Sequence, residues 1–349
     1  MTQSIAIPKP SRPWRPSPRE RVINISLVLG SFLASYLIVL STEMKGKLAY
    51  FFVFFAALAI LNFALGLITK DWMSGKDQFF SVLMLLGMTL VILPTANILY
   101  TVFDRGRAGL HSGLLTNDMA LSTPSDPITN GGLAHAIVGT FLLVLVALIA
   151  SVPIGILTAL YLTEIKGRFT RPIRFLVQAM SGVPSIVAGL FILSAVVYTV
   201  TQSYSGLVGS LSLTILMIPT IARTAEEVLN LIPNDLREAG VALGATQWRT
   251  VAMVVIPAAR SGLITALILG VARIVGETAP ILLLTGGGDK INLNPTQGAM
   301  GSLPFYIWKS FLLGTEESIT RGWAGLFVLL VLVLFLFMLA RFLGSRRAK

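Results

Sequence analysis

An arginine and a glutamate four residues apart, Arg273 and Glu277, interrupt an apolar run that extends from Ser261 to Thr285. A charge at the centre of a bilayer costs about 2.5 to 3.5 kcal/mol on insertion scales, so both side chains must face protein or water. On one helix this spacing puts them on a common face, and two readings stand. The first is a structural ion pair, in which pairing removes part of the desolvation cost. In the second, Arg273 presents a fixed positive charge and a fork of donors to an anion crossing the membrane. Glu277 and Thr278 then lie alongside the path, and Pro280 disturbs the helix and frees carbonyls there. Arginine before glutamate is the weaker order for a helical pair, which leaves room for other partners.

Other chemistry is poorly provided for. With no cysteine, disulfides, thiolate metal sites and a cysteine nucleophile are excluded. The two histidines, His111 and His135, are too few for a histidine metal cluster. No nucleophile stands with a base, and no Gly-x-x-x-x-Gly-Lys-Ser/Thr pattern occurs, so the chain has no phosphate-binding loop of its own for ATP. Gly286-Gly-Gly-Asp-Lys290 lacks the second glycine spacing and the hydroxyl, and reads as a turn. The expectation is a protein that is not an enzyme and needs no cofactor.

The elements that position these residues are membrane spans. Of the 349 residues 54% are hydrophobic and 12% charged, where soluble chains carry about a quarter charged residues. A span needs about 20 apolar residues. Eight stretches qualify: Val22 to Ser41, Leu48 to Ile68, Phe79 to Phe103, His135 to Leu162, Ile173 to Val200, Gly206 to Ala222, Ser261 to Thr285 and Gly322 to Leu343. The fold class expected is therefore all-α, a polytopic membrane protein. The net charge of +11 sits in short loops between spans, not on one soluble face, which argues against nucleic acid. A cytoplasmic N-terminus leaves about 19 basic residues inside and about 7 outside, with Arg273 in a span, and places both termini in the cytoplasm. The inside set includes Arg12, Arg15, Arg19 and Arg21, Lys166, Arg168, Arg171 and Arg174, and Arg346, Arg347 and Lys349. Val22 to Ser41 is long for a signal-peptide core and no small-residue cleavage site follows, so it reads as a retained span.

Residues 1–21 read as a proline-rich cytoplasmic arm, 22–78 as a transmembrane hairpin, and 79–133 as a span followed by a long, turn-rich external loop. A membrane domain follows over 134–343, then a cytoplasmic tail over 344–349. Within that domain the segment 222–259 is too polar to span and too patterned for a passive loop. Asn234 can cap a helix from Asp235. Leu236, Ala239, Gly240 and Leu243 then share one face, bulky at its ends and small in its middle, and Gly244 ends the helix. Thr246 can start another containing Trp248. Such a surface suits insertion into a partner's groove, whereas a helix resting on headgroups favours a basic polar face and larger central apolar residues.

This segment resembles the EAA loop of ABC type I import permeases: Glu238, Ala239 and Gly240, then Gly244, then Val254, Ile256 and Pro257 stand at the family's spacing. It departs at Gly240, where the family has a second alanine, and in the last block. Ala272-Arg-Ile-Val-Gly-Glu-Thr-Ala-Pro280, Ser151-Val-Pro-Ile-Gly-Ile-Leu-Thr-Ala-Leu-Tyr-Leu-Thr-Glu164 and Ser181-Gly-Val-Pro-Ser-Ile-Val-Ala-Gly-Leu190 narrow the resemblance to the phosphate-importer permeases. The resemblance covers about Phe79 to Arg341 and omits the first two spans, which look like an addition to a six-helix core. It implies that Glu238, Ala239, Gly240, Leu243, Gly244 and Pro257 couple the chain to an ATPase. It also implies a second permease subunit, separate ATPase subunits, an external phosphate-binding protein and alternating access driven by ATP. A gradient-driven transporter is the rival class, and it would usually carry several intramembrane acids.

Overall fold

The computed structural model describes residues 17–42, 44 and 46–345. Most of the proline-rich arm and the basic tail, with Arg12, Arg15, Arg346, Arg347 and Lys349, lie outside them. Contacts divide the chain into two compact units, 1–99 and 100–349.

In the first unit α1 (Pro18–Ser41) pairs with α2 (Lys47–Thr69). The helix starts before the predicted span because Ser17 and Glu20 form a reciprocal cap: Ser17 N–H donates to Glu20 Oε2 at 2.7 Å and Glu20 N–H to Ser17 Oγ at 3.2 Å. Helix α3 (Trp72–Gly106) is also longer than its predicted span and carries Pro94 inside it. Its start packs on α2 through Phe55, Leu58 and Val82.

The second unit opens with the end of α3, where Phe103 meets Phe327, and the external loop. Helix α4 (Ala134–Leu160) continues through a wide π turn, Tyr161–Ile165, that closes on Lys166. Helices α5 (Thr170–Ser181) and α6 (Ser185–Ile192) meet at 104°. The sequence predicts one span there; Pro184, without an N–H, and Gly182 before it break the helix. Helix α7 (Gly206–Asn230) runs well past the predicted end at Ala222. Then come α8 (Asn234–Ala242), α9 (Gln247–Thr250), α10 (Ile256–Val275), α11 (Ala279–Leu284), α12 (Leu303–Leu313) and α13 (Glu316–Ser345). Among the described residues seven helices are long and apolar enough to cross a membrane, or eight if the bent α5–α6 pair is one span.

The core is α4 against α7. Two glycines show how they run: a Cβ on Gly155 would lie 2.8 Å from Ile221, and one on Gly209 would lie 3.3 Å from Leu143. Both contacts join residues 66 apart (221 − 155 and 209 − 143), so the helices are parallel. Small residues permit this close approach, and van der Waals packing then holds the helices together where lipid supplies no hydrophobic drive to associate. Leu143, Ala147, Leu213, Met217 and Ile221 fill the seam, with Ile274 and Ile281 against it.

Parallel α4 and α7 sort the loops to two ends. At one end Met119 N–H donates to Asp289 O at 3.0 Å, and Arg321 donates to the carbonyls of Thr123, Pro124, Asp126, Pro127 and Asn130. The turn-rich loop is thus stapled by one buried guanidinium, and within it Thr123, donating from hydroxyl and backbone, holds the Asp126 carboxyl below its usual range. At the other end lie the π turn, the start of α5, the end of α7, and α8.

Candidate functional site

Pro233 precedes α8 and occupies the cap position. Asn234 does not cap as expected: its Oδ1 accepts from Arg237 Nη1 at 3.3 Å. Gly240 is buried, and a Cβ there would stand 2.7 Å from Thr250 Cγ2, so α8 rests on the helix that becomes α10 through its narrowest residue. Leu236 and Leu243, expected on one face with Gly240, turn outward instead; Leu243 is 89% exposed. Glu238 and Ala239 are exposed too. Gly244 ends the turn at φ +82°, a left-handed conformation that any Cβ penalises, and Thr246 Oγ1 then accepts from Arg249 N–H at 3.4 Å to start α9. Pro257 falls just beyond a π turn, Val251–Val255, which accommodates the missing N–H inside a helix continuous over 247–275.

What holds α8 in place is a contact that no sequence motif signals. Arg237 grips Glu164 on the π turn of α4, Nη2 to Oε1 at 2.8 Å and Nε to Oε2 at 3.1 Å. The same guanidinium donates to Leu229 O at 2.9 Å and Ile232 O at 2.6 Å, carbonyls at and just past the end of α7. Gln247 Nε2 adds a bond to Glu164 O at 2.7 Å. The Glu164 side chain is only 7% exposed. One arginine therefore ties α8 to both parallel core helices. A movement of α8 pulls on α4 and α7 together. An acid closing a span among Lys166, Arg168, Arg171 and Arg174 was the only hint in the sequence.

Removing one partner of such a pair leaves an uncompensated charge and costs about 3 to 5 kcal/mol when buried. Arg237→Met is expected to lower the unfolding midpoint of the detergent-solubilised chain, and Glu164→Gln to cost little more on top of it. Additive losses in that double-mutant cycle would mean that the two residues act separately.

Arg273 lies in the last turn of α10, exposed, with Nη1 3.3 Å from Thr220 Oγ1 midway along α7. Its charge complements the carbonyls of the helix C-terminus. The helix stops at Val275, so Glu277 leaves the face that the four-residue spacing would give it. Among the described residues no ion pair joins Glu277 to Arg273 or to any other cation. The backbone at Gly276, Glu277 and Thr278 is irregular: Glu277 N–H reaches Ile274 O at 3.2 Å, and Thr278 Oγ1 donates to Gly276 O at 3.4 Å. Pro280 lies in the first turn of α11 and does not kink a continuous helix. A free guanidinium face, a half-buried carboxylate and a helix break thus occur together within the membrane region. That combination can receive an anion, since irregular backbone at this depth is tolerated beside protein or a water-filled path. Among the described residues no group of acids and histidines could hold a metal.

Residues 151–349 match the family described as binding-protein-dependent transport system inner membrane component. The phosphate transport system permease protein PstA 1 of Mycobacterium tuberculosis (strain ATCC 25618 / H37Rv) is 35% identical over 279 residues, 78% of this chain and 90% of that protein. The PstA of Mycobacterium leprae is 41% identical over 221 residues, 62% of this chain and 73% of its own length. A chain of the bacterial alginate ABC transporter crystallised with an alginate pentasaccharide-bound periplasmic protein aligns with a TM-score of 0.54 at 17% identity, over 78% of this chain and 98% of that one.

Proposed function

The chain belongs to the family of binding-protein-dependent transport system inner membrane components, and from that premise we propose that it is the permease subunit through which an ATP-driven importer carries inorganic phosphate across the bacterial inner membrane. The observation that carries the reading is that phosphate permeases match it over most of their own length. It is a multi-pass membrane protein of PstA type. Gly276-Glu-Thr-Ala279 favours this type over its PstC partner, which tends to carry methionine in the last place.

The partners we assign are a PstC-type second permease, PstB-type ATPase subunits and a PstS-type external phosphate-binding protein, within a lipid bilayer. We take 134–343 as the permease domain with 222–259 as its coupling loop, and 22–78 as an added hairpin for anchoring or partner contact. Both termini are cytoplasmic in this reading. Support comes from the basic residues and from the grouping of loops at two ends of the core.

The coupling path runs from outside to inside of α8. Glu238, Ala239, Leu243 and Val241 form the exposed surface offered to an ATPase groove. Gly240 and Arg237 transmit its displacement, the first to α10 and the second to α4 and α7. When the ATPase pair closes on ATP, α8 shifts, the helices that carry Thr220 and Arg273 move with it, and the pathway opens outward. Hydrolysis resets it. Arg273, Glu277 and Thr278 are the residues placed along the anion's path. A tagged copy of the chain is expected to bring an ATPase subunit through purification in mild detergent. Recovery of the chain with no nucleotide-hydrolysing partner under conditions that keep it folded would defeat this reading.

A further inference from the structure

At the same end as α8, Lys166, Arg168, Arg171 and Arg174 line a cavity of about 660 Å³ with Thr170 and Asn230. Among the described residues four cations and no carboxylate face this space. Arg174 is oriented by Glu226, which accepts from its Nε at 3.0 Å and its Nη2 at 2.7 Å, leaving Nη1 without a partner among the described residues. Lys166, Arg168 and Arg171 take part in no ion pair among the described residues. Lys166 adopts the left-handed conformation, φ +50° and ψ +41°, which side chains other than glycine and asparagine rarely accept. That turn folds the chain back so that Lys166 and Arg168 share a rim with the start of the twelve-residue helix α5. The helix adds its own partial positive charge there.

A bias of basic residues toward the cytoplasm accounts for their number but not for their convergence on one concavity. Concave groups of guanidinium and ammonium donors, three of the four here outside any ion pair among the described residues, suit a compact anion with several oxygens. We propose that this cavity binds a phosphate group at the cytoplasmic face, carried by an anionic phospholipid headgroup or present as free orthophosphate, and that its occupancy tunes coupling. The link is short. Leu162 in the cavity wall and Glu164, which holds Arg237 of α8, belong to one π turn. A ligand that stiffens this turn stiffens the anchor of α8.

The inference rests on the cytoplasmic placement given above, and its test separates the two. The complete importer is reconstituted in vesicles that enclose loaded phosphate-binding protein, with ATP outside so that only molecules with an outward ATPase hydrolyse it. Hydrolysis is compared with and without phosphatidylglycerol, and with external orthophosphate against sulfate at equal ionic strength. Wild type is expected to respond in one arm, phosphatidylglycerol identifying a headgroup and orthophosphate identifying the free ion. The double variant Arg168→Gln/Arg171→Gln, and Lys166→Gln separately, should keep basal hydrolysis and need at least about fivefold more of that ligand for half the response. No response of the wild type in either arm, or variants that respond as wild type does, would overturn the site. Failure of the loaded binding protein to stimulate hydrolysis in every vesicle would instead count against the proposed function.

Discussion

Replacing Arg273 by glutamine is expected to reduce phosphate uptake by about 10- to 150-fold, the equivalent of about 1.5 to 3 kcal/mol for a hydrogen bond to a charged group. The expectation follows from position. The guanidinium is exposed in the last turn of α10 and reaches Thr220 on α7, and among the described residues no carboxylate consumes its charge. Its removal should spare folding, because no buried partner is orphaned, and the chain should reach the membrane in normal amounts. Lysine in its place retains the charge but loses the planar fork, and is expected to recover part of the uptake. Stimulation of ATP hydrolysis by loaded binding protein should persist in Arg273→Gln if the residue serves the path alone. Normal uptake at normal expression would remove Arg273 from the pathway and leave it as a cation that satisfies the end of α10.

Gly240→Leu is expected to disconnect ATP hydrolysis from uptake. A Cβ at this position stands 2.7 Å from Thr250 Cγ2 and 2.9 Å from Thr250 Oγ1, and Thr250 is buried. The larger side chain must therefore lift α8 from α9 and the start of α10. Overpacking of this kind costs about 1 to 3 kcal/mol. Because α8 lies at the edge of the molecule, the strain is relieved by displacing it, and the membrane core around Leu143 and Met217 is not loosened. The predicted outcome is uptake reduced at least about tenfold, since 1.4 kcal/mol already corresponds to a factor of ten, with the thermal stability of the membrane domain little changed. Gly244→Leu should be milder in packing, since nothing lies within 4 Å of its Cβ position. It strains the backbone at φ +82° and enlarges the surface offered to the ATPase, so its effect should be on partner binding. A Gly240→Leu chain that transports as wild type does would show that the contact with Thr250 carries no force.

Much of this architecture is legible in the amino-acid sequence. Long uncharged runs gave the spans because a bilayer admits little else, and the polar segment between α7 and α10 stood out by its caps and small residues. Boundaries were less legible. Arg223 to Asn230 are polar yet continue α7, since Ala225 and Leu229 are buried against α4 and the chain around Val251 to Ala259. Pro184 and Pro280 announced irregularity but not its form: one marks a 104° corner, the other the start of a short helix after a break. Glu277 was misplaced for that reason, since an i, i+4 relation presumes a helix that ends at Val275. The grip of Arg237 on Glu164 joins residues 73 positions apart and has no local periodicity to reveal it. Long-range polar pairs of this kind depend on how α4 and α7 come together, and only the assembled core displays that.

Phosphate uptake in a strain lacking this chain, measured at growth-limiting phosphate and with competing oxyanions, decides whether the chain carries phosphate. High-affinity uptake is expected to be lost, the wild-type chain to restore it, and excess sulfate, molybdate or tungstate to leave the restored uptake unchanged. Undiminished phosphate uptake in the deletion strain, or restored uptake that one of those oxyanions suppresses, would contradict that role.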